Sequence, residues 1–179
     1  MTVYFTSDTH FGHKRIIELA KRPFATVEEM DAAMIARWNA IVKTDDVVWH
    51  LGDFAWTDHT PYLQQLNGQK HLIIGNHDYE SRVSKAKGWY SVEHYKELKL
   101  DDTLLILFHY GMRVWNKSHH GSIHLYGHSH DNLVGDSQCL DVGVDAWMFA
   151  PITLDSIKNR LSYQPKRFEP DHHKPKVAA

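Results

Sequence analysis

The sequence contains one cysteine, Cys139, which excludes an intrachain disulfide. A lone thiol fits a reducing, cytosolic compartment, and burial as a small apolar group is its default role. Long hydrophobic runs are also missing. The apolar stretches extend only a few residues, against the ~20 needed to cross a bilayer, so no membrane partner is expected. The first residues, Met1 to Asp8, lack a basic segment and meet a charge too early for a secretory signal. A large excess of charge of either sign is missing as well. Twenty Lys and Arg against 22 Asp and Glu leave a net charge of -2, which argues against strong binding to duplex nucleic acid. No repeat, low-complexity tract or linker divides the 179 residues, so one domain over 1–162 is expected. A surface tail over 163–179 should follow, because it holds three of the six prolines and no apolar period.

What the chain has in excess is histidine, 15 copies, and position makes these informative. Residues 2–7 read as a strand, followed by a loop and a short helix near 14–21 that Pro23 stops. Thr26 and Glu29 form a capping-box pattern ahead of Met30, Met34, Trp38 and Ile41 at helical spacing, predicting a sheet-covering helix to about residue 43. A strand over 46–51, a helix over 59–66 ended by Asn67-Gly68, a strand over 70–74 and a polar helix near 79–87 continue the alternation. This alternation predicts parallel βαβ units. Residues 94–100 and 103–109 around Asp101-Asp102 read as an antiparallel hairpin, with further strands over 122–127 and 138–143. Pro151 to Thr153 open a last helix, with Thr153 as its N-cap.

Five of the apolar runs end in oxygen or imidazole donors: Asp8 and His10, then Asp53, then Asn76, His77 and Asp78, then His109, then His128 and His130. Strands of one sheet lie about 4.8 Å apart, so groups distant in sequence can meet at a sheet edge. In α/β sheets that edge is where ligands gather. Gly52, Gly75 and Gly127 precede three of the clusters and allow sharp turns and close backbone approach. A donor set of N and O without thiolate suits Mn, Fe, Co, Ni or Zn, and so many donors exceed the needs of one structural ion.

The ordered blocks Asp8-x-His10, Gly52-Asp53, Gly75-Asn76-His77-Asp78, His109 and Gly127-His128-x-His130 resemble the calcineurin-like metallophosphoesterases, here in a small form with little room for a capping domain. The resemblance implies an α/β, four-layer αββα sandwich: two mixed sheets flanked by helices, with a dimetal site at the carboxyl edge of the strands. It implies that Asp8, His10 and His130 hold one divalent ion and Asn76, His109 and His128 a second, Mn being favoured, with Asp53 bridging both. Two such ions clamp a phosphate and activate a water for in-line attack on phosphorus. His77, beside a ligand but not assigned as one, is the general-acid candidate, and Asp78 would orient it or support a ligand. A small phosphodiester, nucleotide or cyclic nucleotide, is the favoured substrate. A phosphomonoester is the alternative, ahead of a non-catalytic metal-loaded scaffold or a nuclease.

Substrate contacts are expected from two segments. His13 and Arg15 follow His10, and an Arg can hold phosphate in a bidentate way. The stretch between His109 and His128 offers Arg113, Asn116 and His119 for phosphate and Trp115 for stacking on a base or aryl group, a reading favoured over a loop whose Trp caps the core. His50 and His124 lie inside strands and read as core or supporting residues, and His59, His71 and His94 as surface or packing residues. Asp141 and Asp145 are candidates to buttress the ligands or, equally, to form turns, and His172-His173 read as part of the solvated tail.

Overall fold

The computed structural model describes residues 1–167, so His172, His173 and most of the expected tail lie outside the described residues. The elements are β1 (Val3–Thr6), α1 (Ile16–Leu19), α2 (Val27–Ile41), β2 (Val47–His50), α3 (Thr60–Leu63), β3 (Gln69–Ile73), α4 (Glu80–Val83), β4 (Trp89–Glu93), β5 (Tyr95–Leu100), β6 (Thr103–Phe108), β7 (Ile123–Tyr126), β8 (Cys139–Asp141), β9 (Ile152–Thr153) and α5 (Leu154–Ser162). They form two mixed sheets flanked by helices: a five-stranded sheet ordered β4-β3-β2-β1-β9 and a four-stranded sheet ordered β5-β6-β7-β8. The pairs β1–β2, β2–β3 and β3–β4 are parallel, as the alternation of strands and helices requires. The β5–β6 hairpin is antiparallel and turns at Asp101, and β6–β7 and β7–β8 are parallel.

Side chains alternate across each strand. Phe5, Trp49, Leu51 and Ile73 from the first sheet meet Leu105, Leu107, Ile123 and Leu125 from the second in the main core. The opposite face of the first sheet carries Val48 and Leu72, covered by Met30, Met34 and Trp38 of α2. That helix starts as expected: the Glu29 N–H donates to Thr26 Oγ1 at 3.2 Å, and the Glu29 carboxylate accepts from Ala25 N–H at 2.8 Å. Its stripe continues to Val42 rather than Ile41, which is partly exposed. The chain leaves helical geometry at Val42 and turns that side chain into the core.

Two strands depart from the expected pattern. β4 extends the first sheet at one edge, in the stretch between the expected helix over 79–87 and the expected hairpin from 94, where no element was expected, and its exposure alternates residue by residue. β9 is a two-residue antiparallel edge beside β1, and Thr153 then caps α5 by accepting from Ser156 N–H at 3.3 Å. The start of the expected tail is docked: Arg167 pairs with Asp136 at 2.8 Å and covers the Trp115 ring at 3.8 Å.

His59 is buried here, not at the surface. Its Nδ1 accepts from Trp89 Nε1–H at 3.3 Å, and its ring packs on Phe54. Burial first, and the Arg82 charge second, push its pKa down to about 4. An unfolded histidine binds its proton near pH 6.5, so the unfolded chain carries the extra proton between that pH and 4, and stability falls as pH drops through this window. In EDTA, His59→Gln should flatten the loss of urea midpoint between pH 7 and 5. A slope equal to the parent's would remove His59 as its source.

Candidate metal centre

β1, β2 and β3 end at one edge of the first sheet, and β6 and β7 end beside them in the second. Asp8, His10 and His130 gather with ligand atoms within 4.8 Å of one another, and Asp53, His109 and His128 form a second such group. Asp53 lies between them. Its Oδ2 is 3.6 Å from His10 Nε2, and its Oδ1 is 3.6 Å from His109 Nε2. Asn76 joins the second group with its Oδ1 3.1 Å from His109 Nε2. The far ring nitrogens of two histidines are already engaged, His109 Nδ1 with the Leu51 carbonyl at 2.7 Å and His130 Nδ1 with Asp145 at 2.7 Å. Each ring therefore turns Nε2 toward its cluster.

The backbone is shaped to this end. Asp8, His10, Asp53, His128 and His130 all have left-handed φ, from 47° to 66°. Such a residue costs on the order of 1–2 kcal/mol, although Asp and His tolerate the region better than most. The strain is held by a ladder beyond the strand ends, with Asp8 N–H on the Gly52 carbonyl at 2.9 Å and His10 N–H on the Asp53 carbonyl at 3.0 Å. At Gly52, φ is +101° and an added Cβ would sit 2.7 Å from Gly75 Cα. At Gly127 a Cβ would overlap Ser7 Oγ and the Asp8 carboxylate. Gly127→Ala should therefore lower unfolding stability by about 1–3 kcal/mol in denaturant titrations, as overpacking does. A change under about 0.5 kcal/mol, the usual surface range, would show that Ser7 and Asp8 yield.

Burial, with the nearby carboxylates of Asp53 and Asp141, pushes the Asp8 carboxyl well above its ordinary range. Burial also pushes the His10 imidazole well below its own, with further repulsion from His130 and Arg22. The His128 imidazole is lowered, again chiefly by burial. Neutral imidazoles are the form that binds metal, and a cation would reverse the shift at Asp8. Asp8 Oδ1 and His10 Nε2 are buried with no hydrogen-bond partner among the described residues.

His77 stands at the mouth, one-third exposed, with Nε2 3.9 Å from Asp53 Oδ2. Its backbone N–H donates to Asp53 Oδ1 at 2.8 Å. Among the described residues no hydrogen bond or ion pair joins Asp78 to His77. The Asp78 carboxylate accepts from the N–H groups of Asp53 at 2.7 Å, Phe54 at 3.0 Å and Gly75 at 2.9 Å, which ties the turns after β2 and β3 together. A cleft of 410 Å³ opens over the clusters, and His13 and Arg15 line it. The His13 ring stacks on Trp56 at 4.1 Å.

The segment after His109 is placed differently from the expectation. None of Arg113, Trp115, Asn116 or His119 lines the cleft. Trp115 is buried with Ile106, Tyr126 and Cys139 on the outer face of the second sheet, and Asn116 donates to Glu97 at 3.0 Å. Because β6 and β7 are parallel, this segment must return to the opposite edge of the sheet before β7 begins. His124 anchors it, accepting from Met112 N–H at 3.0 Å. Sequence reasoning missed Trp56, Leu19 and Asn132 in the cleft, and Arg22 beneath it. No local motif marks any of them.

Two mixed sheets that gather acid, amide and imidazole donors around one shared carboxylate define an α/β class with candidate divalent-metal clusters at its strand ends. Residues 1–151 match the family model of the calcineurin-like phosphoesterase superfamily domain, and the chain belongs to that family. It is 29% identical over 167 residues to an uncharacterized protein of Methanocaldococcus jannaschii, covering 87% of this chain and 88% of that one. The Gene 66 protein of Mycobacterium phage L5 is also 29% identical, over 180 residues, covering 80% of this chain and 86% of the phage protein. The crystal structure of a protein of unknown function from Aquifex aeolicus superposes with a TM-score of 0.70 at 23% identity, covering 89% of this chain and 98% of that one, a likeness of fold. Among the described residues no helix is long and apolar enough to cross a membrane.

Proposed function

We propose that the protein is a dinuclear-metal-dependent phosphoesterase that hydrolyses phosphodiesters, with a nucleotide or cyclic nucleotide as the substrate class. The observation that carries this reading is Asp53, whose two carboxylate oxygens each face a different cluster at 3.6 Å. Asp8, His10 and His130 would hold one ion, Asn76, His109 and His128 the other, and Asp53 would bridge them. The partnerless buried Asp8 Oδ1 and His10 Nε2, together with the Nε2 atoms held toward the clusters, fit such ions. Mn is favoured, and Fe, Co, Ni or Zn suit the same N and O donors. Two bound divalent ions supply charge that draws in phosphoryl oxygens and lowers the pKa of water.

The chain supplies the rest. Arg15 brings a cation to the mouth of the cleft, and His13, braced by Trp56, lies beside it. Ile16, Leu19 and Ala20 add an apolar wall next to the clusters, which suits the second organic substituent of a diester. His77 would give a proton from Nε2 to the leaving oxygen. Asp78 would keep Asp53 in register through its three backbone hydrogen bonds and move no proton.

The test strips the protein with EDTA, restores Mn²⁺ and compares bis-p-nitrophenyl phosphate, p-nitrophenyl phosphate and a nucleotide panel. Metal-dependent turnover with the diesters preferred is expected. Preference for monoesters would move the assignment to a phosphatase, and no turnover of any substrate would remove catalysis.

A further inference from the structure

Arg22 is fully buried in its side chain and lies directly beneath the first cluster. The left-handed Lys21, φ 52°, turns the chain after α1, and the Arg22 N–H closes on the Ile17 carbonyl at 2.9 Å. The guanidinium then spends its donors on two different parts of the site. Nη2 donates to the Asp8 carbonyl at 2.6 Å and Nη1 to the Thr9 carbonyl at 2.9 Å. Nε and Nη2 also form a fork on Asp145, at 2.8 and 2.9 Å. Asp145 Oδ2 in turn accepts from His130 Nδ1 at 2.7 Å. Burial alone would raise the Asp145 carboxyl, but the hydrogen bonds from His130 and Arg22 hold it below its ordinary value.

We infer that Arg22 is a positioning residue for the first metal cluster, and this rests on the proposed dinuclear reading. Through one planar group it couples the strained Asp8-Thr9-His10 turn, contributed by the first sheet, to His130, contributed by the second. A lysine offers one point charge and cannot match a carboxylate fork and two carbonyls at once. The arrangement selects between the two clusters. Among the described residues no hydrogen bond or ion pair joins Arg22 or Asp145 to Asn76, His109 or His128, so the second cluster should not depend on them.

The experiment measures Mn²⁺ stoichiometry and affinity by calorimetry and elemental analysis for the parent, Arg22→Met, Arg22→Lys, Asp145→Asn and the Arg22→Met/Asp145→Asn double variant, with thermal melts in EDTA. One of two ions should bind roughly 10–100-fold more weakly in each single variant, the range for removing a group that orients a ligand, and the other should be unchanged. Because the two residues act as one link, the double variant should lose no more affinity than Arg22→Met alone. Equal weakening of both ions in step with the drop in melting temperature would reduce Arg22 to a packing residue and overturn the inference, as would unchanged binding of both. If Arg22→Met does not fold, Arg22→Lys, which keeps the charge but cannot hold the carboxylate fork and both carbonyls, decides the matter. A parent that binds fewer than two ions would bring down the dinuclear reading itself, a result distinct from two ions bound and indifferent to Arg22.

Discussion

Asp53→Asn should fold, bind at most one divalent ion per chain, and lose metal-dependent turnover by more than the roughly 10–100-fold that removing an outer supporting group costs. The substitution keeps the shape of the side chain, and the asparagine carbonyl can still accept the His77 N–H that Asp53 Oδ1 accepts at 2.8 Å. What goes is the negative charge between two sites that would otherwise hold mutually repelling cations. The same change should act with the opposite sign when metal is removed. Asp53 is one of the neighbours that, after burial itself, push the Asp8 carboxyl upward. Two like charges held close disfavour the folded state, so Asp53→Asn in EDTA should melt at a higher temperature than the parent. Elemental analysis, bis-p-nitrophenyl phosphate kinetics and paired melts with and without Mn²⁺ read all three effects. Two ions retained at parental affinity would sink the bridging role.

His77→Ala should lower kcat by about 10²–10⁴-fold, the range for a positioned general acid, on diesters whose leaving group is an alkoxide. On bis-p-nitrophenyl phosphate the loss should be much smaller, because nitrophenolate departs without needing a proton. Metal content should stay at the parental value, since the backbone N–H of His77, not its ring, holds Asp53. Equal losses on both leaving groups would point to phosphate binding instead of proton transfer. Loss of an ion would make the ring a ligand.

The features legible in the sequence were those with local physical causes. Thr26 and Glu29 announce the start of α2 because capping is an interaction across three residues. The β5–β6 hairpin announces itself by alternation around Asp101-Asp102. The donor blocks could be placed because each follows an apolar strand, and the structure does bring Asp8, His10, Asp53, Asn76, His109, His128 and His130 to one edge. The features that escaped depend on partners far away in sequence. β4 has a strand's alternation in Trp89 to Glu93, but only β3 gives it a sheet to join. Trp115 has the composition of a base-stacking residue, and the direction of β7 carries it to the outer face instead. Arg22 meets Asp145 across 123 positions of sequence, beyond the reach of any spacing rule.

The site also straddles a seam. Asp8, His10, Asp53 and Asn76 follow strands of the first sheet, while His109, His128 and His130 follow strands of the second. On the proposed assignment each ion takes ligands from both sheets, so loading rivets the two halves of the sandwich where their apolar faces stop. A ligand at 100 times its Kd adds about 2.7 kcal/mol to unfolding stability, a substantial part of the 5–15 kcal/mol that holds a typical domain together. The metal supply would then govern not only how fast each molecule works but how long it survives proteolysis, with starved molecules cleared before loaded ones.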